Sequence, residues 1–398
     1  MLLAAASSLS SHILHAVSVP AFPFAARYCL FFLSLNNRDK CVLLSIGDDN
    51  WHEARLISVP DFLKSFGESM EIAVEATPSW YWLYDHLEDA GFEVKLSHPL
   101  KTKAIAYAKV KTDKVDSATL AHLLRSNLLP LSYVPEKSVR SNRELLRYRA
   151  SLVTLQTRVK NKVHNILAKN NISQEYSDLF GKEGMAFLHS LALPENYKIA
   201  LEGYTTVLDA VRQEIRVASQ KVRQLAVQDR DALLLMTIPG MGYYSALLTA
   251  SEIGDVRRFP SAKQLCAYAG LVPSTHASGN TCFHGHITKQ GSRWLRWILI
   301  EAAIHAVKRP GVLRRFYLKV ERKKGGQVAK VATARKLLEW IYHILKDGRS
   351  YQEMERIADL LGRGEPGNHS GSALQAVNLI GQPQPERHSV AKKLRRDE

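Results

Sequence analysis

The sequence predicts an α/β domain followed by a largely helical remainder, the class α/β plus α. Three observations carry this. From Lys40 to about Val134, short β-like runs alternate with short helices. Two long apolar seams with three- and four-residue spacing follow. From Leu233 to about Leu361 the chain is helical and punctuated by glycine. A chain of 398 residues is long enough for two or three domains, each with its own core. The expected layout is a leader over 1–38, an α/β domain over 39–135 and a helical coiled-coil region over 136–230. A helical C-terminal domain over 231–361 and a disordered tail over 362–398 complete it.

The elements follow in order. Met1 to about Leu35 is apolar and carries no positive charge before Arg27, so it lacks the basic start of a secretory signal. Pro20 and Pro23 interrupt it, which argues against a membrane-spanning helix. It reads as an appended leader with no structural role. Cys41–Ile46 and Trp51–Ser58, separated by Gly47-Asp48-Asp49-Asn50, read as a β-hairpin. A short helix is expected from Pro60, since proline is tolerated in a first turn. Glu71–Ala76 reads as a strand, Trp80–Asp89 as a helix closed by Gly91, and Phe92–Ser97 as another strand. Helices are expected near Leu100–Lys109 and Asp113–Ser126. Hairpin-joined strands followed by helix-joined ones predict a mixed sheet with helices on its faces.

In the middle, Leu145, Tyr148, Leu152, Leu155, Val159 and Ile166 form one seam, with Lys162 as a polar break. Tyr204, Leu208, Val211, Ile215, Ala218, Val222 and Leu225 form a second. Such spacing marks a coiled-coil pair, here a long helical hairpin, or equally an ordinary bundle core. After Gly362 the composition turns to Gly, Pro, Ser, Asn and charge, which predicts disorder.

Charge narrows the function. The formal net charge is +16 and unevenly placed. Residues 1–100 hold 6 Lys/Arg against 12 Asp/Glu, whereas residues 286–336 hold 14 against 2. A one-sided basic region is the footprint of a phosphate-backbone binder, although a solvated basic helix face would also produce it. Cys29, Cys41, Cys266 and Cys282 show neither a C-x-x-C pair nor metal-ligand spacing, so a disulfide framework and a zinc site are not expected. A reducing cytoplasm fits.

The chemistry-bearing candidates are acids, glycines and one serine. Glu75 ends a strand, and Asp113 and Asp116 lie three apart at a helix start, on one face of its first turn. Acids converging from a strand end and a helix start can hold two Mg²⁺ ions for phosphodiester transfer. From spacing alone, helix-capping chemistry is the simpler explanation of Asp113 and Asp116, and a lone strand-end Glu75 is a weaker signal still. Thr237-Ile238-Pro239-Gly240-Met241-Gly242 precedes an apolar helix, and a Gly-x-Gly turn there offers unpaired N–H groups to a phosphate, like a helix-hairpin-helix turn. A plain tight turn is the alternative for Gly240 and Gly242. Ser274–Asn280 reads as a loop, in which Ser278 before Gly279 is either a nucleophile or a turn former. Lys289, Arg293 and Arg296 are candidate nucleic-acid contacts. His276, His284 and His286 match no common zinc spacing and read as exposed or phosphate-contacting.

These stretches resemble the DEDD-type insertion-sequence transposases, the insertion-sequence one-ten family of bridge-RNA-guided serine recombinases. Val74-Glu75-Ala76-Thr77 resembles its second acidic box, and Lys111-Thr112-Asp113-Lys114-Val115-Asp116 the box of its last two acids. Ile238–Gly242, Glu252-Ile253-Gly254-Asp255 through Arg258-Phe259, Ala269-Gly270-Leu271-Val272-Pro273, Ser278-Gly279 and Gly285–Gly291 resemble its C-terminal domain in order. The resemblance runs from about Cys41 to about Lys346. It implies an RNase H-like, RuvC-like catalytic domain, a coiled-coil insert and a helical C-terminal transposase domain. It also implies Mg²⁺ held by Glu75, Asp113 and Asp116, with Ser278 as the nucleophile that links to DNA. The implied partners are donor and target DNA, a guide (bridge) RNA and further copies of the chain in a dimer or tetramer. A cytoplasmic, nucleoid-associated protein without membrane contact is expected.

One departure stands out. The resemblance places a first acid near Phe32-Leu33-Ser34-Leu35-Asn36-Asn37, and Ser34 or a neighbour occupies its position. Serine has no charge to hold a divalent cation. A decayed element, with a frameshift or an upstream start, would produce this atypical N-terminus. Three readings follow. The chain is an active recombinase, a remnant that only binds DNA or guide RNA, or a RuvC-like junction resolvase that needs the acids but not Ser278.

Overall fold

A computed structural model describes residues 31–32, 60, 71–76, 80–105, 113–278 and 281–362. The chain forms two compact units, Met1–Pro135 and Glu136–Glu398. The expected hairpin of Cys41–Ile46 and Trp51–Ser58 and the expected tail after Gly362 lie outside the described residues. So does the helix from Pro60, except for Pro60 itself, which is helical and buried.

Among the described residues of the first unit three strands form a sheet in the order β1 (Phe31–Phe32), β2 (Glu71–Glu75) and β3 (Glu93–Ser97). Both pairings are parallel, with Phe31 opposite Ala73 and Glu75 opposite Ser97. Helix α1 (Trp80–Asp89) supplies the crossover that a parallel pair requires. Gly91, at φ +90°, turns the chain from α1 into β3, a conformation that costs glycine nothing. Among the described residues the three strands pair in parallel, and the hairpin expected to add antiparallel strands lies outside them. An isolated bridge between Ser97 and Leu131 is antiparallel. The stretch read as a leader without a structural role contributes β1, because Phe31 and Phe32 are apolar residues able to extend the ladder of β2.

The sheet's two faces bury different partners. Ile72, Val74, Val94 and Leu96 pack with Leu83, Tyr84 and Leu87 of α1. On the other side Ala73 packs with Leu120, Leu123, Leu124 and Leu129. Leu120 to Leu124 belong to α3 (Asp113–Arg125), which follows the short α2 (Pro99–Ile105). The alternation of strand side chains thus assigns Ile72 and Val74 to α1, and Ala73 to α3.

The second unit opens with α4 (Lys137–Lys169), 33 residues long, which pairs with α6 (Glu195–Gln228), 34 residues long. Between them lies α5 (Lys182–Ser190). The two long helices run antiparallel. Tyr148 Oη donates to Glu214 and Arg149 Nε to Ser219 near one end, while Val163, Ile166, Leu201 and Leu208 share a core at the other. On α6 the predicted seam is buried at Leu208, Val211, Ala218 and Val222. On α4 it is buried at Val159 and Ile166, but Tyr148 and Leu155 are 42% and 41% exposed. Near its base α4 also packs on α8 (Tyr243–Ile253), whose buried residues share a core with Leu146.

The remaining helices enclose one large core. After α6 come α7 (Arg230–Leu235) and α8; beyond α8 come α9 (Ala262–Tyr268), α10 (Arg293–Ala306), α11 (Val312–Lys324), α12 (Gly326–Asp347) and α13 (Tyr351–Gly362). In α12, Leu337, Leu338, Trp340, Ile341, Tyr342, Ile344 and Leu345 are all buried, so it is apolar around much of its circumference, as a central helix must be. Between α9 and α10 stand β4 (Pro273–Ser278) and β5 (Thr281–Ile287), an antiparallel pair. The expected loop Ser274–Asn280 is thus mainly a strand. Its polar composition hides a ladder that Thr281–Ile287 completes. Among the described residues no helix is long and apolar enough to cross a membrane.

Candidate functional site

Glu75 follows Ala73 by two residues, so its side chain projects toward the face that α3 covers. Asp116 lies four residues before Leu120, one turn along the stripe that α3 turns to the sheet. Both acids are half-buried. Asp113 is the first residue of α3, and its side chain lies outside the described residues, as does Ser34. Strand alternation and helix periodicity thereby bring Glu75 and the Asp116 stripe to one face.

Ser97 stands opposite Glu75 in register, and in-register neighbours point to the same side of a sheet. The Ser97 side chain is fully buried, and its Oγ has no hydrogen-bond partner among the described residues. A buried hydroxyl left without a partner carries a desolvation cost of about 1–3 kcal/mol, which an incoming polar group would offset. Next along the chain, burial and then Lys101 hold the His98 imidazole below its usual pKa, opposed by a hydrogen bond to its own backbone. The donor chemistry fits a hard divalent cation, which takes carboxylate oxygens as ligands. Among the described residues no three His, Cys, Asp or Glu side chains are grouped to hold a metal.

In the second unit, Ser278 ends β4 and pairs with Thr281, so it sits at the tip of a two-stranded ribbon. Its side chain lies outside the described residues. The base of the ribbon is pinned by Thr288 N–H donating to Val272 O at 2.9 Å and Lys289 N–H to Gly270 O at 3.2 Å. Gly291, at φ +112°, has room for no side chain, because a Cβ would lie 2.0 Å from Tyr268 O. His276 and His284 stand on opposite strands, and His286 is exposed on β5.

The turn Pro239–Gly242 joins α7 to α8. Gly240, at φ +85°, meets α10 so closely that a Cβ would lie 2.4 Å from His305 Cβ. Gly242 is exposed and N-caps α8, leaving the first N–H groups of that helix at the surface. Of the basic candidates, Lys289 and Arg293 are exposed. Arg296 is half-buried and donates from Nη1 to Ala269 O at 3.0 Å, so it holds the turn at Ala269–Gly270, and burial lowers its pKa.

Glu252 is a group that sequence reading gave no role. It is 2% exposed, pairs with Arg147 at 2.9 Å and accepts from Ser292 Oγ at 2.8 Å. Ser292 also caps α10 by accepting from Leu295 N–H. Arg143 donates to Ser251 O and Glu252 O, which ties α4 to the end of α8. The available signal was one acid at the end of an otherwise apolar helix.

Comparison with known proteins matches two family models. Residues 232–318 match the model described as Transposase IS116/IS110/IS902 family. Residues 43–171 match a second transposase model, DEDD_Tnp_IS110. A putative transposase, y4qE, of Sinorhizobium fredii is 29% identical over 59% of this chain and 58% of its own length. The transposase for insertion sequence element IS1111A of Coxiella burnetii is 27% identical over 66% of this chain and 74% of its own. A pilin gene-inverting protein of Moraxella bovis is 35% identical over 31% of this chain and 39% of its own. The chain thus spans somewhat over half the length of the Sinorhizobium relative.

Proposed function

Because the chain carries the transposase domains of the IS116/IS110/IS902 family, we propose that it cuts and rejoins DNA for an insertion sequence. The observation that carries this reading is the common face of Glu75 and the Asp116 stripe, beside the Ser97 hydroxyl, which has no partner among the described residues. In this reading Glu75, Asp113 and Asp116 hold Mg²⁺, which when bound offsets charge developing on the phosphate. Ser278 Oγ attacks phosphorus. A serine–phosphate ester forms as the bond to the leaving sugar oxygen breaks; the serine proton passes to a base, and the sugar oxygen takes up a proton. A hydroxyl of the second DNA strand reverses the step and releases the serine. Gly242, Lys289 and Arg293 contact the backbone, and Arg296 supports them through the Ala269–Gly270 turn. The name of the Moraxella relative, a gene-inverting protein, supports recombination between defined sites. Donor and target DNA, a guide RNA and a dimer or tetramer complete the proposal, in the cytoplasm and at the nucleoid.

A covalent-trapping assay tests it. Purified protein is incubated with Mg²⁺, candidate guide RNA from the flanking sequence, and donor plus target DNA. An adduct that vanishes in Ser278→Ala and in Asp113→Ala supports the reading. An adduct that persists in Ser278→Ala excludes this serine as the nucleophile. Cleavage without any adduct, unchanged in Ser278→Ala, would point to a junction resolvase.

Ser34 favours a second reading, in which the chain only binds DNA or guide RNA, because serine gives no charge to a metal where the resemblance places the first acid. Salt-dependent binding without an adduct, beside a working control enzyme, would establish it. Placing Asp at position 34 would then show whether that carboxylate is what is missing.

A further inference from the structure

The first turns of α8 and α10 gather aromatic and arginine side chains that the cutting chemistry does not use. Trp297 is 42% exposed. It is held edge-on by Trp294, with ring centroids 6.0 Å apart, and by Tyr244 at 6.5 Å. Tyr244 is itself fixed: its Oη donates to Leu146 O at 3.1 Å, and the Arg149 guanidinium lies 4.4 Å from its ring centre. Arg147 and Arg293 lie 5.9 and 5.5 Å from the Trp294 ring centre. Arg147 is anchored in turn by the buried Glu252, so this cluster is built on the core. The result is an exposed indole packed on two rings, Trp294 and Tyr244, that themselves carry guanidinium groups, near the N-terminus of α8 at Gly242.

Aromatic faces with arginine beside them are what unpaired nucleotides recognise, since every base has a face to stack and every nucleotide a phosphate to neutralise. Bases inside a duplex are stacked on each other and cannot reach such a ring. We propose that Trp297 is a stacking platform for an unpaired base of single-stranded nucleic acid, with Arg149 and Arg293, seated on the adjoining Tyr244 and Trp294 rings, attracting the flanking phosphates. This rests on the reading that the chain handles nucleic acid, and it adds a site distinct from the acids and from Ser278.

The test titrates full-length protein with a short oligothymidylate, a short oligouridylate and a short duplex, following tryptophan fluorescence and electrophoretic shift. Stacking should quench the emission. Trp297→Ala should weaken both single-strand affinities roughly five- to hundredfold and leave duplex affinity unchanged. Trp297→Phe should retain most of the single-strand affinity, and an unchanged thermal midpoint in both variants shows that the core is intact. Preference for the uridylate identifies RNA as the source of the base, preference for the thymidylate identifies displaced DNA. Single-strand affinity unchanged in folded Trp297→Ala would overturn the proposal, and so would an equal loss on the duplex. Wild-type protein that binds neither single strand nor the duplex would instead count against the nucleic-acid reading as a whole.

Discussion

Glu75 and Glu252 are both acids at the C-terminal end of an element with an apolar interior, yet their burial and neighbours differ. In the second unit Glu252 is sealed in, one oxygen on Arg147 and the other on the Ser292 hydroxyl, and it ties α4, α8 and α10 together. In the first unit Glu75 is half-buried beside the buried Ser97 hydroxyl, which has no hydrogen-bond partner among the described residues. An acid whose oxygens are all engaged by the protein serves the fold. That Ser97 hydroxyl leaves hydrogen-bonding capacity, among the described residues, that an added polar group would meet. The difference lies in the surroundings, since the residue type is the same.

The comparison can be broken by changing each acid and reading activity and stability separately. The largest effect is expected from Glu75→Gln and Asp116→Asn. Each should reduce covalent adduct formation on the order of a thousandfold, because a metal's charge stabilisation is worth several kcal/mol, and leave the thermal midpoint near that of the parent. A parallel fall in the midpoint would place these acids with Glu252. Glu252→Ala should do the reverse, costing about 3–5 kcal/mol in urea unfolding because it leaves Arg147 without its buried partner. If the loss is below about 1 kcal/mol, the pair does not brace the core. Leu120→Ala removes a residue from the α3–Ala73 contact and should cost about 2–5 kcal/mol, with adduct formation lost at temperatures where the parent still works. Ser292→Ala, which removes the cap of α10, should cost about 0.5–2 kcal/mol.

The smallest effect concerns pH. Burial is the main cause holding His343 below its ordinary pKa of 6.5, against the pull of Asp347. The folded state then prefers the neutral ring, so the unfolded chain binds the extra proton first. That contribution to stability is complete above pH 6.5 and is lost as pH falls below it. His343→Gln should flatten the slope of stability against pH in that window. An unchanged slope would assign the dependence to other groups.

Among the described residues of the first unit, two elements were legible because they are short and strongly patterned. The helix Trp80–Asp89 falls where its pattern and Gly91 placed it, and Glu71–Glu75 is a strand as its alternation indicated. The parallel pairing was not legible, since neighbours in a sheet are chosen by tertiary packing. The strand Pro273–Ser278 was hidden by polar, turn-forming residues, whose pairing depends on Thr281–Ile287 across the turn. On α4 the seam misplaced Tyr148 and Leu155, because periodicity finds an apolar stripe without saying which neighbour covers it. Glu252 was seen as part of a motif, but its partners lie 105 and 40 residues away along the chain. The two acids Glu75 and Asp116 were named from the sequence, whereas their common face required Ala73 and Leu120 to be seen in one core.

The paired helices α4 and α6 have a mechanical consequence. One end is sunk in the large core through Leu146, Val222 and Ala226, and the other carries its own small core around Leu179, Phe180 and Leu188. At 1.5 Å per residue the pair reaches about 50 Å, so a tilt of about 10° at the anchored end sweeps the far end through roughly 9 Å. It is a lever. Rearrangements of ångström size among α8 and its neighbours become displacements of several ångströms at a distance, and whatever rests on the tip inherits them.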